Sequence, residues 1–145
     1  MDITADPPLE EVIGLLAESG LPVSDIDESS PIRFFGVRDS SGLAAVVGLE
    51  VYPPVGLLRS LAVAPGFRAR GAGRKLVAFV ESFAAANGVQ TLFLLTTTAE
   101  RFFLALGYVP ASRASAPTTI QATSQFSTLC PDSCAFLCKH VGCAG

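Results

Sequence analysis

A chain of 145 residues, half of them hydrophobic and only 16% charged, has the size of one compact domain with a buried core, which excludes a disordered chain and a second full domain. A net charge of -3 and a pI near 5.0 exclude a general attraction to nucleic acid or anionic membrane, so any anion site must be local. No apolar run approaches the roughly 20 residues of a membrane helix, the segment Met1–Pro8 is acidic rather than a leader, and the four cysteines crowd between Cys130 and Cys143, so residues 1–145 are expected to form one reduced, cytoplasmic domain.

After Pro7 and Pro8, the residues Leu9, Val12, Ile13, Leu15 and Leu16 recur with helical spacing and Gly20 supplies a stop. The polar, acidic stretch Ser24–Pro31 reads as a loop or a short helical turn. Ile32–Val37 reads as a strand, Ser40–Gly42 as a turn, and Leu43–Tyr52 as a long strand of small and β-branched residues. Pro53–Gly56 then makes a turn into Leu57–Ala64, an apolar strand interrupted by Arg59 and Ser60 and closed by Pro65 and Gly66. These strands form an antiparallel meander.

From Gly73 the spacing becomes helical, with Leu76, Val77, Val80, Phe83 and Ala84 on one face and Asn87 with Gly88 at the end. Thr91–Leu95 is a buried strand and Thr98–Leu106 a short helix closed by Gly107. Tyr108–Arg113 reads as a strand, Pro117–Leu129 as a helix and Cys134–Val141 as a final strand. With no internal repeat, the order predicts an α/β fold whose mixed central sheet is flanked by helices in three layers.

The segment Arg68-Ala69-Arg70-Gly71-Ala72-Gly73 between a strand and a helix carries the chemistry. Glycines there let backbone N–H groups approach a ligand, and the helix N-terminus adds a positive partial charge. Arg68, Arg70, Arg74 and Lys75 are four of the chain's ten basic residues, and arginine grips phosphate oxygens at two points. A P-loop would need lysine at Ala72, and a dinucleotide fingerprint would need glycine at Leu76. Both motifs are excluded, and a phosphate-rich ligand remains.

Arg68, Gly71 and Gly73 match the pattern Gln/Arg-x-x-Gly-x-Gly/Ala of the GNAT acetyltransferases. The preceding Leu61-Ala62-Val63-Ala64-Pro65 resembles that family's pantetheine strand, and Ala99–Tyr108 resembles its second cofactor helix with the Gly-aromatic end. The resemblance spans Leu43–Tyr108 and implies a GNAT-like fold that uses acetyl-CoA and no metal. It assigns the backbone of Leu61, Ala62 and Val63 to pantetheine, Arg68, Ala69, Arg70, Gly71, Ala72 and Gly73 to the pyrophosphate, and Arg74 or Lys75 to outer phosphates. More narrowly, Leu57–Pro65, Leu94–Glu100 and Leu129-Cys130-Pro131 resemble GNAT proteins encoded in arsenic-resistance operons.

Direct acetyl transfer needs a proton acceptor for the amine and donors for the thioester oxygen. Glu50, the one acidic residue between Asp39 and Glu81, is the candidate base. If Pro53–Gly56 is a four-residue loop, Tyr52 faces Leu57 and Glu50 faces Arg59 across the hairpin. Two readings follow: a cross-strand ion pair, which weakens a carboxylate as a base, or Arg59 binding an anionic group of the substrate while Glu50 receives the amine proton.

The resemblance implies the backbone N–H near Leu61 as the oxyanion donor. It also places Phe103 where the family often has a tyrosine that protonates the leaving thiolate. Phe103 then contributes packing, water can deliver the proton, and Tyr108 occupies an apolar aromatic position rather than replacing the acid.

On a strand, Cys134 and Cys138 would stand about 13 Å apart, too far to share one ion, so these thiols and His140 are expected to hold no metal. The leading expectation is an acetyl-CoA-dependent transferase acting on the primary amine of a small, amino-acid-like or arsenic-related compound. Its partner would be that small molecule, with no nucleic acid or membrane and with a homodimer open to it. The rivals are a catalytically weak acyl-CoA-binding regulator and a thiol-based arsenite-binding protein.

Overall fold

A computed structural model describes residues 2–129 and 134–142. In chain order the elements are β1 (Ile3–Ala5), α1 (Leu9–Glu18), β2 (Arg33–Asp39), β3 (Gly42–Tyr52), β4 (Val55–Val63), α2 (Ala72–Ala86), β5 (Thr91–Thr96), α3 (Glu100–Ala105), β6 (Val109–Pro110), α4 (Thr118–Gln121) and β7 (Ala135–His140). Among the described residues seven strands form a mixed sheet in the order β1-β2-β3-β4-β5-β7-β6. The contacts group into two compact units, residues 1–50 with 58–83 and residues 51–57 with 84–145.

In the first unit β1 and β2, and β2 and β3, pair antiparallel, with Phe34 opposite Gly48 and Phe35 opposite Val47. Alternation along β2 sends Phe34 and Phe35 to opposite faces. On one face Phe34, Val46 and Ala62 pack with Val12, Leu15 and Leu16 of α1 and with Ile26. Each large aliphatic side chain buried there contributes about 1.5–3 kcal/mol. On the other face Phe35 sits 5.1 Å from Phe79 and 5.0 Å from Phe83 of α2, ring centre to ring centre. Helices on both faces give the three layers expected from the sequence. Arg38 of β2 donates at two points to Glu11 of α1, at 2.7 and 3.0 Å, and so ties that helix to the sheet.

In the second unit Val55–Leu57 runs parallel to Thr91–Phe93. β5 pairs antiparallel with β7, and β7 with β6. Leu57, Leu95, Ala116, Ile120, Cys134 and Phe136 form the core, while Phe93 stacks on Phe136 and Phe126 meets the same ring edge-on, each at 5.4 Å.

The main departures from the sequence reading are these. β1 is three residues long, too short to show a period. The turn after β3 is Pro53–Pro54 rather than Pro53–Gly56. The strand expected over Tyr108–Arg113 reduces to Val109–Pro110, with Arg113–Ser115 in a 3-10 turn. The helix expected over Pro117–Leu129 stops at Gln121 and resumes as a wider π-type turn over Gln125–Leu129. Hydroxyls compete for its carbonyls: Thr123 Oγ1 donates to Ile120 O at 2.7 Å and Ser127 Oγ to Thr123 O at 2.8 Å, which interrupts a regular helix.

Candidate active site

Ser60 sits in the middle of β4 with φ of 57°, a left-handed conformation that a non-glycine residue adopts at a cost. Counting back from the two-residue turn pairs Gly48 with Arg59. Further along, however, Ala64 N donates to Ala44 O at 2.7 Å, a register one residue on. The difference is a bulge at Ser60, and it explains how Arg59 beside Gly48 and Ala62 against α1 share a face although they are three residues apart. Bulges of this kind release backbone groups from the ladder and gather beside active sites.

The shorter turn corrects the expected register, in which Glu50 faced Arg59 directly. The two residues meet nevertheless, as diagonal neighbours: Arg59 Nη1 donates to Glu50 Oε2 at 3.0 Å. The same guanidinium donates to both oxygens of Asp25, with Nη2 to Oδ1 at 2.9 Å, and Nε donates to Ser60 Oγ at 3.0 Å. The Arg59 side chain has 0% exposure, Glu50 5% and Asp25 16%. Burial alone would pull the guanidinium down, but hydrogen bonds to Asp25 and Glu50 and their charges outweigh it, so its pKa lies above the ordinary value.

Glu50 and Arg59 therefore form a cross-strand ion pair, and the guanidinium is shared with Asp25 rather than given to Glu50 alone. The sequence marks Ser60 only as an interruption of an apolar strand and does not single out Asp25. Asp25 lies among Asp27 and Glu28 with no spacing that distinguishes it.

The glycine segment opens α2 as expected. Ala69 has φ of 65° and Gly71 φ of 81°, with Arg70 between them outside that region, so backbone handedness alternates along the loop. Such alternation turns successive N–H groups into an anion-binding concavity. Nothing lies within 4 Å of a Cβ placed at Gly71, which leaves room for a ligand against the backbone.

Arg68, Arg70, Arg74 and Lys75 are exposed, Gly73 is half-buried and the Ala72 side chain is buried, so Ala72 can offer only its backbone. Arg68 Nε donates to Val63 O at 3.2 Å, and the Arg70 guanidinium lies 5.1 Å over Phe67. Leu61 and Val63 are partly exposed at the end of β4, whereas the Ala62 side chain belongs to the core under α1. The residues present fit a pyrophosphate-bearing cofactor.

Phe103 is 3% exposed and Tyr108 1%, and the two rings meet edge-on at 5.4 Å. Burial pushes the Cys138 thiol up, away from reactive thiolate. Among the described residues no three His, Cys, Asp or Glu side chains assemble a metal-ligand set. Cys130, Cys143 and the motif residue Pro131 lie outside the described residues. No helix among those residues is long and apolar enough to cross a membrane.

Residues 8–108 match the model of the acetyltransferase (GNAT) family. The chain is 36% identical over 110 residues to an amino-acid acetyltransferase of Ectopseudomonas mendocina, covering 72% of this chain and 25% of that protein. It is 38% identical over 84 residues to one from Ralstonia nicotianae, covering 56% and 19%. It thus spans about a quarter of the length of the curated relatives it matches. In fold it resembles the N-acetylglutamate synthase of Neisseria gonorrhoeae, solved with coenzyme A and N-acetyl-glutamate, at a TM-score of 0.79 and 18% identity over 99% of this chain and 36% of that one. It also resembles the Escherichia coli ribosomal-protein-S18-alanine N-acetyltransferase, at a TM-score of 0.70 and 18% identity over 99% and 96%. The arsenic-resistance resemblance has no counterpart among these proteins.

Proposed function

This chain belongs to the acetyltransferase (GNAT) family, and from that premise we propose that it moves the acetyl group of acetyl-CoA to the primary amine of a small amino acid, with residues 1–145 acting as one transferase domain in the cytoplasm. The observation that carries the reading is that one compact unit holds both a glycine loop of alternating backbone handedness at the start of α2 and a buried carboxylate on the strand beside β4. The relatives named amino-acid acetyltransferase support the acceptor class.

In this reading the N–H groups of Arg68–Gly73 hold the pyrophosphate, Arg74 or Lys75 meets outer phosphates, and the backbone of Leu61–Val63 lies along pantetheine. Bound acetyl-CoA supplies an activated thioester. Leu61 N–H, just past the Ser60 bulge, donates to the thioester oxygen. Glu50 takes the proton that the amine loses as it is acylated, through water if needed, and Arg59 keeps that carboxylate in place. Phe103 offers no exchangeable proton, so water protonates the departing sulfur.

The experiment is coenzyme A release from acetyl-CoA with a panel of primary-amine acceptors that includes L-glutamate, L-glutamine and an arsenic-bearing amino acid. Saturable release with one of them supports the proposal. Acetyl-CoA binding without release for any acceptor would favour a regulator, and arsenite binding in its place would favour the thiol-based reading.

A further inference from the structure

Asp25 lies between α1 and β2, outside every regular element, yet it makes the two-point contact in the buried cluster. A guanidinium is a rigid planar fork, and two parallel bonds to one carboxylate fix its plane. Once that plane is fixed, so is the direction in which Nη1 reaches Glu50 Oε2. The remaining contact, Nε to Ser60 Oγ, holds the fork at its root on the bulge.

The segment carrying Asp25 is itself held in place. Ile26 is 5% exposed in the core under α1. The Asp27 carboxylate accepts from Ser29 N at 2.8 Å and Ser29 Oγ at 2.6 Å, and Asp27 N donates to Ser30 Oγ at 2.9 Å. An anchored loop can therefore set the aim of a side chain on a distant strand.

We infer that Asp25 is a positioning residue for acetyl transfer, its two-point grip on Arg59 holding the guanidinium in the plane that holds Glu50. The inference rests on the reading of Glu50 as the proton acceptor. Asp25 touches neither reactant and acts through Arg59 alone, so its contribution to turnover exists only while Glu50 can accept a proton.

A double-mutant cycle on coenzyme A release tests this, with L-glutamate as the acceptor probe. Asp25→Asn should lower kcat about tenfold, with the acceptor KM and acetyl-CoA affinity little changed, and Asp25→Glu should recover most of the loss. In a Glu50→Gln background Asp25→Asn should cost nothing further. Additive losses, or a lower L-glutamate KM at unchanged kcat, would overturn the inference and leave Asp25 as a fold element or a stand-in for a substrate carboxylate. Wild-type kinetics in Asp25→Asn beside a crippled Glu50→Gln would sink the inference alone. Wild-type kinetics in Glu50→Gln would remove the proton-acceptor reading and this inference with it. A crystal structure of Asp25→Asn reads the claim with no acceptor: Nη1 should leave Glu50, and Nη1 still at 3.0 Å would contradict it.

Discussion

Gly48 lies beneath the stem of Arg59: a Cβ at position 48 would stand 3.3 Å from Arg59 Cγ, 3.0 Å from Phe34 Cε1 and 3.1 Å from Ile32 Cγ2. All three atoms belong to side chains packed on the face covered by α1, so a methyl group there can be accommodated only by pushing them outward. Gly48→Ala should cost about 1–3 kcal/mol in stability and lower kcat by displacing Arg59, while acetyl-CoA affinity, set at Arg68–Gly73, holds. Chemical denaturation and steady-state kinetics on the same preparation check both halves.

A negative charge at the start of α2 should act on the other half of the site. Gly73 is half-buried within the first turn of that helix, where the N–H groups point out of the helix and favour anions. Gly73→Asp should weaken acetyl-CoA binding by about tenfold or more, with the melting temperature nearly unchanged, as read by calorimetric titration. Unaltered affinity in the folded variant would remove this loop from the cofactor site.

The legible part of the molecule is the part with local spacing. The apolar period of Leu9–Leu16 and of Leu76–Ala84 gave both major helices, and the glycine segment opened α2 where expected. Within the site, Glu50 and Arg59 were found because they are charges on apolar strands. What stayed hidden depends on non-local geometry. Asp25 reaches Arg59 across 34 positions, and Ser60, although it interrupts an apolar strand, carries no mark of the backbone conformation that makes the bulge. The four-residue turn failed because Val55 and Gly56 continue β4 and pair with Thr91 and Leu92, a contact supplied by a strand far along the chain.

Acid sensitivity should run through the link between α1 and β2. The hydrogen bond from Arg38 is the main cause holding the half-buried Glu11 carboxyl below its ordinary value of 4.5. A carboxylate depressed in the folded state stabilises above its unfolded pKa and loses that contribution as pH falls through the folded one. Wild-type stability should therefore be flat in this respect near neutrality and decline below about pH 4.5. Glu11→Gln should show a shallower decline in melting temperature between pH 6 and about pH 3; identical slopes would mean the pair does not couple to folding.

Phe103 should behave as packing. Its ring is edge-on to Tyr108 and to Phe102, the latter at 5.1 Å, so Phe103→Leu should lose about 1–2 kcal/mol of stability and keep turnover at every pH. Loss of turnover with fold and acetyl-CoA binding intact would give the ring a part in the reaction.

The central claim is that Glu50 accepts the amine proton while the loop at α2 binds acetyl-CoA independently, and kcat together with acetyl-CoA affinity in Glu50→Gln tests it most directly. Gln keeps the shape and one acceptor oxygen for Arg59 but cannot take the proton. With L-glutamate, or whichever panel acceptor proves active, kcat should fall about a hundredfold, with acetyl-CoA affinity within about twofold of wild type. Wild-type kcat across the pH range in the folded variant would contradict the claim and leave Glu50 as a partner of Arg59 only.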